Sequence, residues 1–207
     1  MSNNVNRNLG MLIFSSKGLE TKSGRKSIGK EVKKRKKEDD TILLFSHPEY
    51  MTDEVFVKAC EEMSFKKENI FLYSENISSD LVLRMNYIYV TSGNTFEILD
   101  WLKKREDIFC SIRQAVLLGT NYIGSSAGAM IAGKDILLAH EFDRNFVALK
   151  DFNALGLFDG AIIPHYTKKE LNNFKKNIGK DNLLRYKHLL SVSEKSCLAL
   201  AAERPFK

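Results

Sequence analysis

At 207 residues, with 43% hydrophobic and 28% charged side chains, the chain can bury one full core and does not call for a second domain. Cys60, Cys110 and Cys197 form no close pair and no metal-ligand spacing, which excludes a disulfide framework or a zinc module and points to a reducing, cytoplasmic setting. The net charge of +6 is local: residues 22–37 carry nine Lys/Arg against Glu31 alone, so the rest of the chain sums to −2.

Residues 1–8 are polar and are expected to be flexible. The apolar stretch from Leu9 to Phe14 is too short and interrupted for a signal peptide or a membrane span. Met11–Phe14 reads as a first strand, followed by the basic segment, where Ile28 and Val32 four residues apart describe an amphipathic helix with a solvated lysine face. That segment has no interleaved aromatics and no nucleic-acid motif, so nucleic acid is not expected as a partner. Thr41–Ser46 is a buried strand. A helix from Thr52 to about Ser64 opens on Asp53-Glu54, where negative charge suits the helix dipole.

Asn69–Tyr73 returns to strand, a short helix covers Ser78 to Met85, and Tyr87–Thr91 is a fourth strand ending in the turn Ser92-Gly93-Asn94-Thr95. Helical sequence then runs to about Leu118, and Asn121–Gly124 supplies a fifth strand. Strands apolar throughout, alternating with amphipathic helices, argue for an α/β fold with a parallel sheet covered on both faces. Ligands in such sheets bind beyond the carboxyl ends of the strands.

At one such end stands Gly124-Ser125-Ser126-Ala127-Gly128, a G-x-S-x-G strand-to-helix turn that would expose the Ser126 hydroxyl. A serine nucleophile needs a base within hydrogen-bond reach and a group that orients the base. Of His47, His140, His165 and His188, His165 is the best base, because Ala161–Pro164 reads as a strand and places the imidazole on the same rim; His47, also after a strand, is second, and His188 is read as structural in a basic helical segment. Asp143 and Glu141 lie between serine and histidine as orienting acids. The backbone N–H groups of Gly93 and of Ala127 are the candidate oxyanion donors.

These residues resemble the peptidase E (α-aspartyl dipeptidase) family: its G-x-S-A-G-A turn is matched by Gly124–Ala129, its G-G-N-T-F turn by Ser92–Phe96, and its P-H-[FY] histidine by Pro164-His165-Tyr166. The resemblance runs from the Leu12 strand to about Leu200. It implies a single peptidase E-like domain over residues 1–207, a three-layer αβα sandwich with a mostly parallel sheet, flavodoxin-like and similar to class I glutamine amidotransferase domains. It further implies Ser126 as nucleophile, His165 as base, Asp143 (or Glu141) as third member, Gly93 and Ala127 as oxyanion donors, and Asn94 and Lys168 as substrate contacts. No metal or organic cofactor is expected. The expected partners are a small peptide substrate and, as an option, a second copy of the chain in a homodimer, with no membrane.

Two departures from the family pattern bear on function. Ser92 replaces the first glycine of the oxyanion turn, and between His165 and Arg185 there are only lysines where aspartate-specific members look to use an arginine, so aspartyl specificity does not carry over. The sequence after Leu200 lacks the expected glycine turn and final strand, predicting a missing or frayed sheet edge. The rival readings are a serine hydrolase acting on another acyl substrate and a non-catalytic, amidotransferase-like binding protein.

Overall fold

A computed structural model describes residues 9–46 and 53–203. In chain order it contains β1 (Met11–Ser15), α1 (Lys22–Lys33), β2 (Ile42–Phe45), α2 (Asp53–Glu62), β3 (Ile70–Leu72), α3 (Ser79–Arg84), β4 (Tyr87–Val90), α4 (Thr95–Lys103), α5 (Glu106–Leu117), β5 (Asn121–Ser125), α6 (Ala127–Ile131), β6 (Gly160–Pro164), α7 (Lys168–Asn177), α8 (Lys180–Leu184), β7 (His188–Val192) and β8 (Cys197–Ala201). The expectations for residues 1–8 and for His47 lie outside the described residues.

Six strands form one sheet in the order β3-β2-β4-β5-β1-β8, parallel except for β8. Successive side chains of each strand enter opposite layers, as the period of two requires. On β1, Leu12 and Phe14 join the layer built from α3, α4, α5 and α6, whereas Ile13 joins Ile28 and Val32 of α1 and Phe56, Ala59 and Cys60 of α2. Both faces are thus covered, which explains why the central positions of these strands are apolar. Burying each of the Leu, Ile, Val and Phe side chains contributes about 1.5–3 kcal/mol.

The basic segment is the helix that its pattern predicts, with Ile28 and Val32 inward and Thr21 capping it by accepting the Gly24 N–H. At the sheet edge, Cys197–Ala201 forms β8 and pairs antiparallel with the whole of β1. Alternation explains it, since Leu198 and Leu200 pack into one layer and Cys197 and Ala199 into the other.

A second, two-stranded parallel sheet joins β6 to β7 and packs on α7 through Ile163, Leu171, Phe174 and Leu189. His188, read as helical, begins β7 opposite Gly160, with its Nε2 3.3 Å from Glu203. The two sheets meet at the carboxyl end of β1. There the buried Ser16 hydroxyl donates to the Val192 carbonyl and accepts the His165 N–H at 2.9 Å.

Candidate active site

Ser126 occupies the turn between β5 and α6 with φ 47° and ψ −105°, a left-handed conformation that side-chain-bearing residues rarely adopt. Three contacts hold it there. Its N–H donates to Ser15 O at 2.8 Å, and its carbonyl accepts from Ala129 and Met130 at 3.0 and 3.1 Å. The buried Tyr122 hydroxyl of β5 donates to Gly128 O at 2.7 Å, tying the start of α6 back to the strand.

The two glycines of the motif are required by proximity: a β-carbon on Gly128 would stand 2.2 Å from Val90 O, and one on Gly124 would stand 2.6 Å from Gly128 O. Backbone cannot yield at such distances without displacing β4 or α6.

The Ser126 hydroxyl lies 3.0 Å from His165 Nε2. His165, itself at φ 66°, follows β6, and its Nδ1 lies 2.5 Å from Glu194 Oε1. With Nδ1–H donating to the carboxylate, Nε2 is left as an acceptor for the serine proton. The second Glu194 oxygen is paired with Lys17 Nζ at 2.6 Å. The Lys17 ammonium first, and His165 next, hold the Glu194 carboxyl below its ordinary range and so favour the ionised form.

The carboxylate that the structure brings to His165 is Glu194, and it brings neither Asp143 nor Glu141 there. Asp143 Oδ2 accepts from Thr95 N at 2.9 Å and Thr95 Oγ1 at 2.5 Å, at the N-terminal end of α4 rather than at the histidine. Glu141 is exposed and borders a cavity of 410 Å³ shared with Tyr166 and Glu170. Glu194 escaped the sequence reading, although the same signal that marks Ser126 and His165 marks it: a polar turn just past an apolar strand. Ser196 N donates to Ser193 O at 3.1 Å in that turn, between β7 and β8.

Gly93 sits in the turn after β4 at φ 144°, with Gly128 N donating to Thr91 O at 3.1 Å to join this turn to α6. Among the described residues neither the Gly93 nor the Ala127 N–H has a protein acceptor. The Ser92 hydroxyl donates to Glu20 Oε1 at 3.2 Å. Asn94 is committed to structure: its Oδ1 accepts from Phe96 and Glu97 N–H at 3.0 and 3.2 Å, and its Nδ2 donates to Arg144 O at 2.9 Å. Lys168 is exposed at the start of α7, one turn beyond His165. Among the described residues no three His, Cys, Asp or Glu side chains converge in a way that could hold a metal ion, and no helix is long and apolar enough to cross a membrane.

Ser16 binds the histidine end of this site to the main sheet. Ser16→Ala would strip the His165 N–H and the Val192 carbonyl of their shared partner, at a cost of about 1–3 kcal/mol. For a chain of this length the melting temperature is expected to fall by roughly 3–10 °C. An unchanged melting curve would show that the hydroxyl is dispensable.

The fold and the site geometry first define a class, an α/β protein with the layout of a serine hydrolase. Residues 15–203 match peptidase family S51. The chain belongs to that family. It is 34% identical over 125 residues to a Listeria monocytogenes protein described as an uncharacterized peptidase, covering 58% of this chain and 60% of the relative. It is 41% identical over 91 residues to an uncharacterized peptidase of Pasteurella multocida, covering 43% and 44%, and 32% identical over 103 residues to a peptidase E of Actinobacillus pleuropneumoniae, covering 50% and 43%. The matched stretches thus span about half of these relatives' length. Among solved structures, a crystal structure titled a putative peptidase E protein from Listeria monocytogenes superposes with a TM-score of 0.63 at 20% identity, covering 94% of this chain and 100% of the other. A peptidase from an acI-B1 Actinobacterium gives 0.58 at 16% identity, covering 95% and 85%. Both show the same fold.

Proposed function

We propose that this chain is a serine peptidase that hydrolyses small peptides, with Ser126 as nucleophile, His165 as general base and Glu194 as the acid that orients it. The observation that carries the reading is the unbroken line from Ser126 Oγ through His165 to Glu194, at 3.0 and 2.5 Å, on a backbone turn held in an unfavourable conformation. His165 takes the serine proton as Oγ attacks the scissile carbonyl, then delivers it to the leaving amine; water repeats the sequence on the acyl-enzyme. The Gly93 and Ala127 amides receive the developing oxyanion, a contribution of about 3 kcal/mol per donor.

The surroundings do not favour an aspartyl side chain. Arg185, at the end of the lysine-only stretch, is bound to Asp135 at 2.9 Å. Among the described residues the cavity beside Tyr166 is lined by Glu141, Glu170, Asn173 and Asn177, among others, and by no cation. The test is a dipeptide panel of Asp-X, Glu-X, Asn-X and neutral members, with wild type and Ser126→Ala side by side and fluorophosphonate labelling in parallel. Serine-dependent cleavage of neutral members is the expected result. A folded protein that neither cleaves nor labels would remove the peptidase reading.

A further inference from the structure

Glu194 is held from two sides. Its Oε1 faces His165 Nδ1 and its Oε2 faces Lys17 Nζ at 2.6 Å; among the described residues these two are the charged groups that face it, one from the end of β6 and one from the loop after β1. Lys17 has a fixed origin, because the Ser15 hydroxyl donates to Lys17 O at 2.8 Å and the neighbouring Ser16 side chain is locked between His165 and Val192. Glu194 has no comparable shelter. Its side chain is 44% exposed, on a turn, and a glutamate so placed would swing into solvent if only one partner held it. Screening in so open a position leaves the Lys17 pair little to add to stability, so its effect falls on orientation and on the local field.

We propose that Lys17 is a positioning residue of the active site, clamping the Glu194 carboxylate so that its other oxygen stays on His165. This rests on the serine-peptidase reading above. The ammonium contributes in two ways. It fixes the carboxylate geometrically, which keeps the imidazole in the tautomer that accepts the serine proton. It also offsets part of the carboxylate's charge, so that Glu194 orients the ring without over-stabilising its protonated, inactive form.

Lys17→Met separates this role from a merely structural one. The variant is expected to lower kcat about three- to tenfold with KM nearly unchanged. It should also move the acid limb of the kcat/KM profile to higher pH by about half a unit, the size expected for unit charges a carboxylate's width apart in a hydrated site. The shift has this sign because removing a cation makes the ring easier to protonate. It should shrink in high salt. Lys17→Arg should restore both quantities. An unmoved limb with wild-type kcat, or an arginine variant as defective as the methionine one, would overturn the proposal. If no peptide is turned over, the peptidase reading fails on its own. The proposal is then still decided by NMR titration of the His165 ring, which should move to higher pH in Lys17→Met and whose constancy would reject it.

Discussion

Ser126→Gly is expected to abolish hydrolysis and at the same time to stabilise the protein. The loss of activity follows from removing the proposed nucleophile: about 10⁴- to 10⁶-fold in kcat/KM, because in that reading the histidine and acid act only through the serine oxygen. The gain in stability follows from the backbone. At φ 47° and ψ −105°, Ser126 occupies a region natural to glycine, and a side chain there costs of order 1–3 kcal/mol. Part of that relief is offset by the greater freedom glycine gives the unfolded chain, about 0.5–1 kcal/mol. A net rise of a few degrees in melting temperature is the expected result. Ser126→Ala should lose the same activity without the stabilisation, since alanine keeps the β-carbon. Retained turnover in either variant would exclude Ser126 as nucleophile, and a glycine variant less stable than wild type would show that the turn stores no strain.

Local pattern carries most of the fold. Every strand of the main sheet through β5 is an apolar run that can be read directly, because strands buried on both faces admit few polar residues. The Ser126 turn and the strand before His165 are legible for the same reason. The helical stretch from Phe96 to Leu118 resolves into α4 and α5, broken at Lys104 and Arg105, where no glycine or proline announces the break. The carboxylate that meets His165 was not legible in this way. Asp143 and Glu141 lie between serine and histidine in the sequence, but chain order does not say which strand ends meet in space. That depends on β7 lying parallel to β6, which brings the turn after Val192 beside His165. The basic Tyr186–His188 segment hid that strand. The charge of Asp143 is explained by the N-terminus of α4, a partner 48 residues distant that no local pattern reveals.

The choice between Glu194 and Asp143 gives the other large effect. Glu194→Gln keeps the shape of the side chain and removes its charge, so the amide can present either a carbonyl or an N–H to His165 Nδ1 and no longer enforces one tautomer. A fall in kcat of about 10²- to 10⁴-fold is expected, with KM changed little, because the ring is needed in its correct form only as the proton moves. Melting should hardly change, since the carboxylate is 44% exposed and its ion pairs are solvent-screened. Asp143→Ala should behave in the opposite way. It removes the acceptor of the Thr95 N–H and hydroxyl at 2.9 and 2.5 Å, a cap worth about 1–2 kcal/mol, while leaving the serine, histidine and glutamate in place. Its kcat should stay within a few-fold of wild type while its melting temperature drops by several degrees. Steady-state kinetics and thermal unfolding of the two variants decide the matter. If Asp143→Ala lost as much kcat as Glu194→Gln in a folded protein, the α4 cap would have to act on the chemistry through the adjoining Gly93 turn, and the oxyanion donor rather than the histidine would be the group it positions.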